Sequence, residues 1–254
     1  MRTAYQLALP VFMVIGLVMY SIAGAGESVP SYEQAREQFE AERRKKSKGP
    51  KLSHEDQQIM QQAGEDLATN MPDPGLEVGE KAPDFILPNA FGNPVSLYDQ
   101  LEKGPVVLVF YRGAWCPYCN LQLHTLRESL SAIEREGAQL ITVTPQKPDK
   151  SLEQVKEDDY PFEILSDLDS AVMKAYNLYF EVPMELADVY RRNFGLDLAD
   201  YNGEGRYVLP VPATYIIDRD GVIRAGTADV NYKERMEPAA IVEAITGSPK
   251  RGDN

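Results

Sequence analysis

The stretch from Pro105 to Cys119 constrains the fold more than any other part of the chain. Pro105-Val106-Val107-Leu108-Val109-Phe110-Tyr111 is an unbroken apolar run rich in β-branched residues, the pattern of a strand buried on both faces. Arg112-Gly113-Ala114 leaves it, and Trp115-Cys116-Pro117-Tyr118-Cys119 follows at once. Beyond the cysteines, Leu121, Leu123, Leu126, Leu130 and Ile133 recur at helical spacing. The pattern predicts a central strand handing over to a helix N-terminus, with a Cys-x-x-Cys at the junction. These are the only 2 cysteines of the chain. Amide N–H groups of a first helical turn stabilise negative charge, and such a setting lowers a thiol from about 8.5 into the range of roughly 3.5 to 7.5. A dithiol that opens and closes is the leading reading, with Cys116 the more exposed sulfur and Cys119 one turn further in. Pro117 suits the first helical position, where its missing N–H costs nothing. Tyr118 is read as exposed between the cysteines, Arg112 either as a cation beside the dithiol or as a solvent-facing residue, and Trp115 either as a cover for the dithiol or as ordinary core.

The rest of the chain supports one such domain with peripheral segments. Leu7 to Met19 is almost wholly apolar, and Ala23-Gly24-Ala25 matches a signal-peptidase site, so residues 1–25 read as a signal peptide, or as an uncleaved anchor. Either reading exports the folded part, as expected for a periplasmic protein, and an oxidising compartment suits a pair that closes as a disulfide. Residues 26–74 read as a polar helical extension. Tyr32, Ala35 and Phe39 give its first helix only a thin apolar stripe, so that helix is expected to be solvated or to act as a tether. Ser53 caps a second helix with Met60, Ala63 and Leu67 on one face, and Pro72-Asp73-Pro74-Gly75 closes the extension. From 75 to 246 the chain alternates strands (Gln139–Thr144, Phe162–Leu165, Val211–Ile217, Val222–Ala225) with helices, the last over Pro238–Ile245. That order predicts an α/β sheet flanked by helices. Pro183 and Gly195 bound a helix in a segment, Tyr179 to Tyr207, whose aromatics are placed in core packing, a substrate cleft or a dimer contact. Residues 247–254 form a polar tail.

Lys+Arg 26 against Asp+Glu 39 gives a net charge of −13, which repels phosphate backbones and anionic lipids, so nucleic acid is not an expected partner. No cofactor is called for. A zinc site would need four ligands, and only His54 and His124 are on hand to join the cysteines.

Several stretches together carry a family resemblance: Val78-Gly79 with Ala82-Pro83-Asp84-Phe85, Phe110 through Asn120, Leu165-Ser166-Asp167, Asn202-Gly203, Leu209 to Thr214, and Arg235-Met236-Glu237-Pro238. From about Leu76 to about Ile245 the sequence resembles the peroxiredoxin-like branch of the alkyl hydroperoxide reductase/thiol-specific antioxidant group, in the thioredoxin superfamily. The resemblance implies a thioredoxin-like (peroxiredoxin-type) sheet. It further implies a hydroperoxide substrate, a thioredoxin-like protein reductant and a homodimer as an available assembly. Laid on the family's Pro-x-x-x-Thr-x-x-Cys pattern, Arg112 stands at the proline, Cys116 at the threonine and Cys119 at the peroxidatic cysteine. Pro212 stands where the family's arginine is usual; thioredoxins carry a proline there, commonly after a cis peptide bond. Two mechanisms follow on the same residues. Either Cys119 attacks a hydroperoxide and Cys116 resolves the sulfenic acid, or Cys116 attacks a protein disulfide and Cys119 resolves the mixed disulfide. A third reading is a non-catalytic module with a static disulfide.

Overall fold

The computed structural model describes residues 29–46 and 52–247. The proposed signal peptide or anchor, and the polar tail from 248 onward, lie outside these residues. The apolar run forms β3 (Val106–Phe110), every residue of which is buried. It is the middle strand of five in the order β5-β4-β3-β8-β9. β4 (Gln139–Thr144) runs parallel to it and β8 (Ala213–Ile217) antiparallel, with Phe110 opposite Val143 on one side and Ala213 on the other. β5 (Glu163–Ser166) and β9 (Ile223–Ala228) complete the sheet. β8 starts at Ala213 rather than Val211, because Pro212 has no N–H to give a ladder.

Alternate residues of β3 serve two cores. Val107 and Val109 pack with Leu126 and Ile133 of α4 (Pro117–Arg135) and Ile241 and Ile245 of α9 (Pro238–Thr246). Val106, Leu108 and Phe110 face Leu97 and Leu101 of α3 (Leu97–Leu101), Val172 and Met173 of α6 (Ala171–Ala175), and the hairpin β1 (Ile86–Pro88) and β2 (Pro94–Ser96). The helices therefore flank the sheet on both faces, as the strand and helix rhythm predicts. α5 (Pro148–Asp158) follows β4. The segment after α6 holds β6 (Tyr179–Glu181), which pairs with β7 (Val208–Pro210), and between them α7 (Met184–Phe194) and α8 (Leu198–Asn202). α7 begins after Pro183 and ends at Gly195, whose φ of 63° is the left-handed conformation of a helix C-cap.

The extension departs from the expected tether. α1 (Tyr32–Lys46) and α2 (His54–Asn70) both rest on the body. Tyr32 is 1% exposed, and its hydroxyl donates to the Lys233 carbonyl at 2.7 Å. The backbone amides of Tyr32 and Glu33 donate to the Glu237 carboxylate at 3.1 and 2.8 Å, so a residue far along the chain caps α1. Arg36 bridges Glu33 and Glu234, each at 2.7 Å. α2, capped by Ser53, lays Ile59, Met60 and Ala63 against Leu186 of α7, and its Asp56 pairs with Arg192.

Tyr32 is the main apolar anchor at the start of α1, so Tyr32→Ala should lower the opening free energy of that helix by about 3 kcal/mol, the usual cost of truncating a buried ring. Hydrogen exchange is the check: α1 amides lose protection while those of β3 keep theirs.

Candidate active site

At the end of β3 the chain turns sharply. Tyr111 still donates its amide to the Val143 carbonyl at 3.0 Å, Gly113 takes a φ of 147°, and the Ala114 amide donates to Gln146 Oε1 at 3.0 Å. A Cβ on Gly113 would lie 2.5 Å from the indole nitrogen of Trp115, so the indole folds back where only glycine leaves room. Cys116 is the N-cap of α4, Pro117 its first residue, and Cys119 stands within the first turn, the handover the sequence predicts.

Both sulfurs are buried, at 1% exposure for Cys116 and 0% for Cys119, so the expectation of a more exposed Cys116 does not hold. The two cysteines are free, with their sulfurs 2.7 Å apart. Tyr118 is buried as well, contrary to its reading as an exposed rim residue. Its ring meets Phe39 of α1 edge-on at 5.6 Å and Tyr232 at 5.6 Å, and its hydroxyl donates to Glu40 Oε1 at 3.1 Å. Tyr118 is the floor on which α1 sits. The thin stripe Tyr32-Phe39 thus covers the dithiol, because the aromatic surface it needs is supplied by α4 and by the loop between β9 and α9.

Arg112 turns inward. Its guanidinium lies 5.0 Å from the Trp115 ring and 4.6 Å from the Tyr232 ring, and it donates to the Tyr190 hydroxyl at 3.1 Å. Trp115 covers this arginine at the strand end, rather than the sulfurs, and joins the packing beneath α7. Of the aromatics between Tyr179 and Tyr207, Tyr190 is the one that reaches the site, through Arg112. Pro212 is buried at the entry to β8, and the described residues contain no cis peptide bond, so its peptide is trans, against the thioredoxin expectation.

The cation that touches sulfur is one to which no role is assigned from sequence. Arg235 places Nη2 3.6 Å from Cys119 Sγ and donates from Nε to Gln122 Oε1 at 2.7 Å. Gln122 in turn donates to Thr214 Oγ1 of β8 at 3.2 Å. Gln122 lies three residues after Cys119, on the same helix face, which is the local signal that a partner of the sulfur passes there. Arg235 itself arrives on the loop after β9, 116 residues from Cys119, beyond the reach of any spacing rule.

These contacts divide the two thiols. Burial pushes Cys119 up, but the hydrogen bond from Cys116, the Arg235 charge, the Arg112 amide and the Arg112 charge outweigh it and bring Cys119 down to about 6. Burial and the Cys119 sulfur hold Cys116 well above the ordinary thiol range. The surroundings therefore favour the thiolate on Cys119 and the proton on Cys116. His124 is elsewhere: it pairs with Asp158 at 3.2 Å and packs edge-on against Tyr160. Among the described residues no group of three or more His, Cys, Asp and Glu is arranged to hold a metal ion.

The model of the AhpC/TSA family matches residues 78–226. A Mycobacterium tuberculosis (strain H37Rv) protein bearing a peroxiredoxin name is 34% identical over 136 residues, which span 50% of this chain and 86% of that one. The thiol-disulfide oxidoreductase ResA of Geobacillus kaustophilus is 26% identical over 163 residues, spanning 64% and 75%. Among solved structures, the peroxidoxin BcpB of Mycobacterium tuberculosis superposes with a TM-score of 0.55 at 17% identity, covering 69% of this chain and 99% of that one.

Because the reactive form is the thiolate, the rate of Cys119 oxidation or alkylation should be flat above neutral pH and fall close to tenfold per unit once the pH drops below about 6. Arg235→Met removes the cation in contact with sulfur. It should move that titration upward by about 1 to 3 units, read from the pH dependence of thiolate absorbance in the Cys116→Ser background.

Proposed function

The chain belongs to the AhpC/TSA family, and on that premise we propose that it is a thiol peroxidase that reduces hydroperoxides through the Cys119 and Cys116 pair. The observation that carries the proposal is the Arg235 guanidinium 3.6 Å from Cys119 Sγ, a setting that favours the thiolate on that cysteine. In the first step the Cys119 thiolate attacks one oxygen of the hydroperoxide. The O–O bond breaks, the leaving oxygen departs as an alcohol or water after taking a proton, and Cys119 becomes a sulfenic acid. In the second, the Cys116 thiol attacks the oxidised sulfur, water leaves, and the disulfide closes. With the sulfurs already 2.7 Å apart, that closure needs no unwinding of α4. A thioredoxin-like dithiol then returns two electrons and the pair is restored.

The disulfide-exchange alternative would need Cys116 to attack first. Burial favours the protonated form of Cys116, which lies at 1% exposure and is out of reach of a folded protein's disulfide while α1 is seated. A hydroperoxide, only a few atoms across, makes far smaller demands on access. Recycling by a protein therefore calls for α1 to move; beside the Tyr32 and Phe39 contacts its anchors near the dithiol are polar: Arg36 to Glu234, Lys233 to Glu40 at 3.6 Å and Tyr118 to Glu40. The same proposal includes export, which rests on the apolar stretch Leu7–Met19 outside the described residues; among those described, no helix is long and apolar enough to cross a membrane.

Stopped-flow mixing with hydrogen peroxide, followed by Trp115 fluorescence and sulfenate trapping, tests the reading. Cys116→Ser should accumulate a sulfenate at Cys119, and Cys119→Ser should be inert. A trapped sulfenate at Cys116 in the Cys119→Ser protein would overturn it. Arg36→Ala, which loosens α1 without touching the sulfurs, should speed reduction of the disulfide by thioredoxin several-fold and leave peroxide oxidation unchanged.

A further inference from the structure

Arg235 stands against the Cys119 sulfur at 3.6 Å and Arg112 is buried close by, over the Trp115 and Tyr232 rings, and neither guanidinium has a carboxylate partner among the described residues. Arg112 is 6% exposed; its one side-chain hydrogen bond goes to the Tyr190 hydroxyl, and its Nε has no partner. Arg235 donates to the Gln122 amide oxygen, the Glu234 carbonyl and the Cys119 sulfur. The carboxylates nearby are engaged elsewhere: Glu40 with Lys233, Glu234 with Arg36, and Glu237 with the first amides of α1. The other close neighbours, Tyr32, Tyr111, Tyr118 and Tyr232, are uncharged phenols.

The charge balance therefore depends on the redox state of the pair. In the reduced form the Cys119 thiolate offsets one of two cations, whereas the disulfide offsets neither and leaves both arginines buried or half-buried without an anion. An uncompensated charge in such a place is costly, so the disulfide is penalised relative to the dithiol. A pair whose reduced form is stabilised makes an oxidising disulfide. We propose that Arg112 and Arg235 act as a charge pair that sets the redox equilibrium of Cys116–Cys119, holding it as the dithiol and making its disulfide readily reduced. The lowered pKa of Cys119 points the same way. The proposal requires only that the dithiol cycles, so it stands apart from the identity of the oxidant.

The test is an equilibrium with glutathione, in which no peroxide takes part. Protein disulfide and two reduced glutathione give the Cys119 thiolate, the Cys116 thiol, oxidised glutathione and a proton. The S–S bond of the protein breaks and that of glutathione forms. The full chain is equilibrated at neutral pH over a series of reduced to oxidised glutathione ratios, quenched by alkylation, and its oxidised fraction is measured. Arg112→Gln should shift the equilibrium constant about tenfold toward the disulfide, a midpoint about 30 mV more negative. Arg235→Gln should move it in the same direction. Arg112→Lys should restore most of the wild-type value, and Tyr190→Phe, which removes the hydrogen bond and keeps the charge, should leave it in place. An unchanged midpoint in Arg112→Gln overturns the proposal, and so does an equal shift in Arg112→Lys or Tyr190→Phe, either of which would assign the effect to packing. If Arg112→Gln does not fold, Arg235→Gln against Arg235→Lys decides the same question. A wild-type protein slow with peroxide but shifted as described would sink the peroxidase reading and keep this one.

Discussion

A strand buried on both faces cannot leave the sheet gradually, and that constraint organises the region around the sulfurs. β3 ends at Phe110, Tyr111 makes one more sheet-like hydrogen bond, and within a few residues the chain has entered α4. The turn between them is tight enough that Gly113 has no room for a side chain beside the Trp115 indole. The consequence is positional. Cys119 arrives in the first turn of α4 over the middle of the sheet, where Gln122 reaches Thr214 on the neighbouring strand and the loop after β9 passes overhead with Arg235. The dithiol owes its electrostatics to that crossing rather than to the Cys-x-x-Cys motif itself.

The second consequence is closure. Residues roughly two hundred positions apart meet above the sulfurs: Tyr32 and Arg36 from α1, Lys233, Glu234 and Glu237 from the loop before α9. The contact is a thin apolar layer bounded by ion pairs and a shared capping carboxylate. Exposed ion pairs contribute little individually, so α1 is held less firmly than the sheet beneath it. Burial of this kind lowers the local dielectric, which strengthens the charge interactions around the sulfurs.

What was legible in the sequence was what local periodicity encodes. The apolar run gave β3, the leucine spacing gave α4, and Pro183 with Gly195 bounded α7, because each signal is a property of one element. Residues whose position depends on two elements were not legible. Tyr118 lies between two cysteines in a polar-looking turn and is nevertheless buried, since Phe39 and Tyr232 come from opposite ends of the chain to meet it. Arg235 sits in a family-like stretch with nothing beside it to mark its contact with sulfur. The polar composition of α1 is genuine, but a stripe of two aromatic residues suffices to dock a helix when the receiving surface is itself aromatic.

The placement of charge and the placement of cover bear on different halves of a redox cycle. Arg235 and Arg112 favour the thiolate that starts oxidation and disfavour the disulfide that ends it, so electrostatics pull the pair back toward its reduced form. The cover acts in the other direction. With α1 seated, the disulfide is both high in free energy and out of reach of a protein reductant. It would then persist for as long as the helix stays down, and the rate of return would be set by the opening of α1 rather than by the chemistry of exchange. A dithiol that a protein reduces only when a helix lifts has its return governed by the layer of Phe39, Tyr118 and Tyr232 on which that helix is seated.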